Sequence, residues 1–104
     1  MTDNKAISDV QIEAFRVKAE EINRKYYEET MSIPNYFGGI EVLKGKKFVK
    51  YAITTGGSRS VYCFVEIETG NILKPASWAA PAKGKRGHIE TTEPGILGSH
   101  WLYY

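Results

Sequence analysis

The chain has 104 residues, of which 42% are apolar and 25% are charged, so it is long enough for one small domain and too hydrophobic for a disordered chain. Its formal charge of +2 is too small to indicate a partner, and its single cysteine excludes an internal disulfide and any zinc site built from several cysteines. Because the chain contains no apolar leader and no stretch of about 18 apolar residues, and because a lone thiol suits a reducing compartment, we expect a cytoplasmic protein that does not enter the membrane.

The first predicted element is a long amphipathic helix over residues 8–31, which follows a frayed start over residues 1–7. Ser8 is the expected N-cap, since its hydroxyl can accept from the backbone N–H of Gln11 while the Gln11 side chain reaches back to Ser8. The helix must end before Pro34, because proline disfavours the helical conformation of the residue that precedes it. The apolar stripe that we expect to face the core consists of Ile12, Phe15, Ala19, Ile22 and Tyr26.

An antiparallel sheet of three or four strands is predicted over residues 40–74, because the apolar spacing there changes to a period of two. The most regular strand, at residues 60–68, has four apolar side chains on the side expected to face the helix: Val61, Cys63, Val65 and Ile67. The predicted fold class is therefore α+β, with one long N-terminal helix packed on an antiparallel meander. We expect the chain to form a single domain, in which residues 75–104 are an irregular, basic and aromatic tail.

The outward face of the predicted sheet is the first candidate site. The side chains expected on it are Phe48, Lys50, Tyr62 and Phe64. Aromatic rings beside lysines can stack on bases and neutralise phosphates. The alternative is that the C-terminal segment folds back and covers this face, with the apolar side chains of Trp78, Ile96, Leu97, Trp101, Leu102, Tyr103 and Tyr104.

The second candidate site is the loop that follows the sheet, in which two prolines and two glycines rule out a long regular element. It carries four cations with no acid between them, namely Lys74, Lys83, Lys85 and Arg86. Arg59 could join them from the first hairpin turn, and Trp78 could stack on a base. The composition suits a surface that contacts nucleic-acid phosphates and equally a loop that is only solvated, and a tryptophan such as Trp78 more often fills the core than stacks on a base.

The same loop resembles a segment shared by small proteins of tailed bacteriophages. Residues 70–87 read G-x-I-x-K-P-A-S-W-x-A-P-A-K-x-x-R-G, and the resemblance extends over roughly residues 51–87, about a third of the chain. Ala79 stands where that pattern often has a basic residue, which weakens a phosphate contact at this position. No activity comes with the resemblance. It implies a phage-encoded protein that acts in the bacterial cytoplasm or is packed in the virion.

Signatures of catalysis are incomplete in this chain. The Gly-Lys pair at residues 84–85 is not a P-loop, because the earlier glycine and the following hydroxyl residue are absent. His88 and Glu90 match half of a zinc deaminase motif, yet no cysteine follows them. Cys63 alternates with apolar neighbours, and a buried thiol is inert. We therefore predict that the chain is not an enzyme and has neither a metal site nor a cofactor.

Two classes of function remain after these exclusions. The first is a small accessory protein that binds nucleic acid, either single-stranded or without sequence preference. The second is a protein interaction module, such as an inhibitor of a host factor, a nucleotide-binding protein that counters host defence, or a virion component. Binding to phosphates weakens steeply as salt is added, whereas an apolar protein interface is much less sensitive, so salt dependence distinguishes the two classes.

Overall fold

The computed structural model of the chain describes residues 6–96 and residue 101. Its elements are, in chain order, helix α1 (Asp9–Thr30) and strands β1 (Phe37–Lys44), β2 (Phe48–Thr55), β3 (Ser58–Glu66), β4 (Asn71–Leu73) and β5 (Gly87–His88). The strands form one antiparallel sheet in the order β1-β2-β3-β4-β5. Within the described residues, a single helix packs on an antiparallel sheet, which confirms the predicted α+β class. The sheet has five strands instead of the predicted three or four, because it gains β5 from the region predicted to be irregular.

Some residues of the predicted N-terminal start and C-terminal tail lie outside the described residues. They are residues 1–5 of the predicted frayed start and, in the tail, Leu97, Leu102, Tyr103 and Tyr104. Within the described ranges, no helix combines the length and the apolar character needed to cross a membrane.

Helix α1 begins with the predicted capping box. The Gln11 backbone N–H donates to the Ser8 hydroxyl oxygen at 3.2 Å, and the Ser8 backbone N–H donates to Gln11 Oε1 at 2.9 Å. The chain leaves the helix at Met31, whose backbone is extended, three residues before Pro34. Both ends of the helix are thus set by local signals in the sequence.

The buried stripe of α1 differs from the predicted one at its C-terminal end. The buried residues are Ile12, Phe15, Ala19, Asn23 and Tyr27. The prediction for Tyr26 is wrong, since its side chain is 43% exposed. The reason lies beyond the helix: the chain returns along the other side, where Tyr36 and Phe37 place their rings 5.5 and 5.8 Å from that of Tyr27.

The core lies between α1 and one face of the sheet. Phe15 packs edge-on against Tyr51 with ring centroids 5.3 Å apart, and the Tyr51 hydroxyl donates to the Ile12 carbonyl oxygen at 2.9 Å. The amide of the buried Asn23 donates to the carbonyl oxygens of Ala19 and Gly95, at 2.8 and 3.2 Å. These bonds satisfy a polar side chain that would otherwise be costly to bury, and they attach the segment around Gly95 to the helix.

A β-bulge between β2 and β3 changes which side chains face the core. Tyr51 pairs with Cys63 and Ala52 pairs with Val61, so Tyr62 is an extra residue without a partner. Both Tyr62 and Cys63 therefore join the core, where the Tyr62 hydroxyl donates to the Gly95 carbonyl oxygen. The predictions that Tyr62 faces outward and that Val61 faces the helix are wrong, because one inserted residue shifts the alternation on that side of the bulge.

Cys63 remains a core residue, as the alternation predicted. Its side chain is fully buried opposite Tyr51, and burial raises the pKa of its thiol. Because the thiolate is the reactive form, we expect a thiol reagent to label the native protein only as fast as the protein unfolds, and to label the urea-unfolded protein rapidly. The measurement is the time course of labelling at mildly alkaline pH. Rapid labelling of the native protein would contradict the position of Cys63 in the core.

Candidate nucleic-acid interface

The candidate site lies on the outer face, which we define as the side of the sheet opposite α1. Directly opposed residues of paired strands share a face, and the register pairs Lys50 with Phe64 and Thr54 with Arg59. Phe48 and Phe64 pack edge to face with ring centroids 6.3 Å apart. Phe64 is buried but does not belong to the main core cluster. The outer face therefore has aromatic contacts of its own, separate from the core under α1.

A closed loop over residues 74–82 folds back onto the outer face. Pro75 and Pro81 form a β-bridge, and the Ala82 backbone N–H donates to the Lys74 carbonyl oxygen at 2.8 Å. At the tip of this loop the Ser77 N–H donates to the Ala80 carbonyl oxygen at 3.1 Å. These bonds hold the tip in an ordered turn despite the prolines, and the turn presents Trp78.

Trp78 is a surface residue and does not fill the core. Its side chain is 44% exposed, Lys50 Nζ lies 4.0 Å from the centroid of its ring, and Arg59 Cζ lies 5.1 Å from it. Cations at these distances interact favourably with the indole ring. Two cations therefore hold the loop tip against β2 and β3 while leaving nearly half of the Trp78 side chain accessible.

The loop tip lies between two open grooves on the outer face. The lysine groove, of about 440 Å³, is bordered by Ala79 of the tip, and its aromatic and basic side chains are Lys44, Lys46, Lys47, Phe48, Lys50 and Phe64. The arginine groove, of about 330 Å³, is bordered by Trp78 and is lined mainly by Arg59, Val61, Pro75, Ala76 and Ser77. Each groove thus combines apolar walls with at least one cation.

The charges of the lysine groove are mostly not neutralised by the protein. Lys44 Nζ pairs with Asp9 Oδ1 at 2.8 Å, and across the face Arg59 pairs with Glu41 at 2.9 Å. Within the described part of the chain, Lys46, Lys47 and Lys50 form no ion pair with a carboxylate. Three ammonium groups around one groove create a local positive potential that attracts an anion.

The structure brings together some of the predicted site residues and separates others. Those that share the outer face are Phe48, Lys50, Arg59, Phe64 and Trp78. Tyr62 is in the core, and neither groove is lined by Lys74, Lys83, Lys85 or Arg86. Lys83 and Lys85 are exposed on the segment that leads to β5, whereas Lys74 and Arg86 are half-buried.

The C-terminal tryptophans lie on opposite sides of the sheet. Trp78 covers part of the outer face, as the alternative of a covered face proposed, while Trp101 packs in the core at 5.1 Å from the Tyr62 ring and 6.4 Å from the Phe15 ring. Among the described residues, the two tryptophans of the tail therefore do not cover the same face of the sheet.

Sequence reasoning missed the lysines of the hairpin between β1 and β2 as site residues. Lys44, Lys46 and Lys47 are not among the predicted binding residues, although they line the lysine groove. A local signal was present: three lysines with no intervening acid stand directly before Phe48. A basic run next to an aromatic residue at a strand start is the pattern that would have indicated them.

Comparison with known proteins yields a family without an assigned function. A family model described as a family of unknown function (DUF7717) matches residues 4–97. No curated protein and no solved structure matches the chain. The function has to be inferred from the residues of the outer face.

Proposed function

Since the chain belongs to the family of unknown function DUF7717, we propose from its outer face alone that it is a small accessory protein that binds nucleic acid, single-stranded or without sequence preference. The observation that carries this proposal is the lysine groove. It brings Lys46, Lys47 and Lys50 to the same cleft as Phe48, and none of the three pairs with a carboxylate of the residues that the structure describes. Lysines neutralise backbone phosphates, and aromatic side chains stack on bases of any sequence.

The second support is the position of the Trp78 loop. It holds an indole ring beside Lys50 and Arg59 in a groove open to solvent. An exposed aromatic ring between cations is the arrangement that single-strand-binding proteins use to combine stacking with phosphate contacts. The proposal needs no catalytic group and no cofactor.

From the resemblance of residues 70–87 to bacteriophage proteins, we further propose that the protein is phage-encoded. It would then act on nucleic acid in the cytoplasm of the infected bacterium or inside the virion. Four predicted cations belong to this proposal only as an outer set, because they line neither groove: Lys74, Lys83, Lys85 and Arg86.

The proposal predicts strongly salt-dependent binding of a labelled oligonucleotide. If Lys46, Lys47, Lys50 and Arg59 each contact one phosphate of a single strand, the slope of log K against log salt should be about −3, at about 0.7 per contact. The affinity should then fall roughly 50-fold between 50 and 200 mM salt. Fluorescence anisotropy titrations at several salt concentrations measure this slope. If neither a single-stranded nor a double-stranded oligonucleotide binds in a salt-sensitive way, the proposal is refuted.

A second candidate function is protein binding through the opposite side of the molecule. Tyr26 and Ile33 are 43% and 59% exposed, and a cleft of about 220 Å³ at the C-terminal end of α1 is lined by Ile33, Tyr36 and other residues. This surface could serve an inhibitor of a host factor, a nucleotide-binding anti-defence protein or a virion component. A pull-down from host lysate distinguishes the candidates, because a protein partner stays bound after nuclease treatment while partners held by nucleic acid are lost.

A further inference from the structure

The loop tip at Trp78 and Ala79 divides the outer face into two compartments. Ala79 borders the lysine groove on one side, and Trp78 borders the arginine groove on the other. Lys50, at 4.0 Å from the indole centroid, belongs to the first groove, and Arg59, at 5.1 Å, belongs to the second. Each compartment therefore has its own cation next to the same aromatic ring.

We propose, resting on the proposed function, that the ligand is a single strand with unpaired bases and that Trp78 separates two successive bases, with one base in each groove. A base that stacks on the indole takes the place of Lys50 or Arg59 at the ring. The displaced cation then reaches the phosphate beside that base. The indole ring thus provides the stacking surface, and the cations provide the charge neutralisation.

The cations are spaced to follow the strand on both sides of Trp78. Lys46 and Lys47 stand before the first residue of β2, and Arg59 pairs with Thr54 near the last. The six residue-to-residue steps of antiparallel strand from Phe48 to Thr54 span about 20 Å. Contacts spread over this length fit a site of about four nucleotides, the lower end of the range for single-strand-binding modules.

A duplex does not fit this arrangement. Its bases are stacked on one another and paired, so an indole on a narrow loop tip can reach only the backbone. A duplex would contact the lysines but would leave Trp78 without a stacking partner. The proposal therefore assigns the preference for single strands to Trp78 and the salt dependence to the cations.

The test compares three labelled ligands of equal length: a single-stranded oligonucleotide, the same sequence as a duplex, and an abasic oligonucleotide with the same number of phosphates. We expect the native protein to bind the single strand at least about fivefold more tightly than the abasic ligand. Trp78→Ala should remove that difference, a loss of roughly 5- to 150-fold for the stacked base, and should leave the salt slope unchanged. Binding should also quench tryptophan emission in the native protein but not in Trp78→Phe.

The matched control is Tyr26→Ala, which removes an aromatic side chain of similar exposure on α1, outside both grooves. It should bind all three ligands as the native protein does. Equal affinity for the single strand and the abasic ligand, or for the single strand and the duplex, would overturn the role of Trp78 while leaving phosphate binding intact. Failure of the native protein to bind any of the three would overturn the proposed function itself. Thermal unfolding of each variant verifies that it is folded.

Discussion

Replacing Phe15 with alanine should lower the free energy of unfolding by about 3 to 5 kcal/mol, the largest stability loss that we expect from a single substitution. Phe15 is 5% exposed, and its ring contacts that of Tyr51 at 5.3 Å and that of Trp101 at 6.4 Å. Truncation removes the side chain that joins α1 to the middle of the sheet and leaves a cavity that two regular elements cannot close. Equilibrium unfolding in urea, followed by circular dichroism, measures the loss.

The control for this prediction is Val17→Ala on the same helix. Val17 is 41% exposed, so its truncation should change the free energy of unfolding by no more than about 0.5 kcal/mol. A loss below about 1 kcal/mol for Phe15→Ala would mean that the buried stripe of α1 does not pack on the sheet, and would overturn the architecture.

The start of α1 could be predicted because the information is local. The capping box between Ser8 and Gln11 spans four residues, and the sequence contains everything that it needs. Local sequence does not determine which of Tyr26 and Tyr27 is buried. Both positions suit the helical stripe, and the decision depends on the route of Tyr36 and Phe37, which the periodicity of α1 cannot show.

The bulge at Tyr62 could not be predicted from alternation alone. A period of two assumes that strands pair residue for residue, and an inserted residue moves every side chain beyond it to the other face. The segment around Tyr62 has no glycine or proline that would mark the irregularity. Its stabilisation is non-local, since the Tyr62 hydroxyl bonds to Gly95 and its ring packs on Trp101.

Strand β5 escaped prediction for a related reason. Gly87 and His88 have no apolar alternation, and their strand consists of two residues that pair with Asn71 and Ile72. Flanking bonds extend the pairing, since the Arg86 N–H donates to Ile72 and the Ile89 N–H donates to Gly70. Such an edge strand exists because a partner strand offers free carbonyl groups, a condition that is visible only in the folded chain.

The sequence predicted which residue types form the candidate site, but it predicted less well which individual residues belong to it. Lys83 follows Trp78 by five residues yet lines neither groove, whereas Lys46 and Lys47, some thirty residues before Trp78 in the sequence, line the lysine groove. Closure of the loop over residues 74–82 brings Trp78 over Lys50 and Ala79 to the border of the groove that contains Lys46 and Lys47. Charge density along the sequence indicates a basic protein surface, but the fold decides which charges act together.

Changing Lys46, Lys47 and Lys50 together to glutamine should produce the largest loss of binding. The loss of three phosphate contacts, at about 0.7 each, should reduce the slope of log K against log salt by about 2. The ratio of the native affinity to the variant affinity should therefore fall roughly 20-fold between 50 and 200 mM salt. The fold should remain intact, because these lysines form no ion pair within the described residues and glutamine keeps much of the aliphatic stem, while Arg59 still holds the Trp78 ring after the contact with Lys50 is lost. Anisotropy titrations with a single-stranded oligonucleotide measure the slope.

The charge-matched control for the lysine groove is the triple change of Lys25, Lys83 and Lys85 to glutamine. These lysines are exposed and line neither groove, so the variant loses the same net charge while keeping the cations around Phe48 and Trp78. If only total charge matters, both variants should lose equal affinity; if the groove holds the strand, the control should keep nearly the full salt slope. A larger loss in the control would instead place the phosphate contacts on the segment before β5, which carries Lys83 and Lys85.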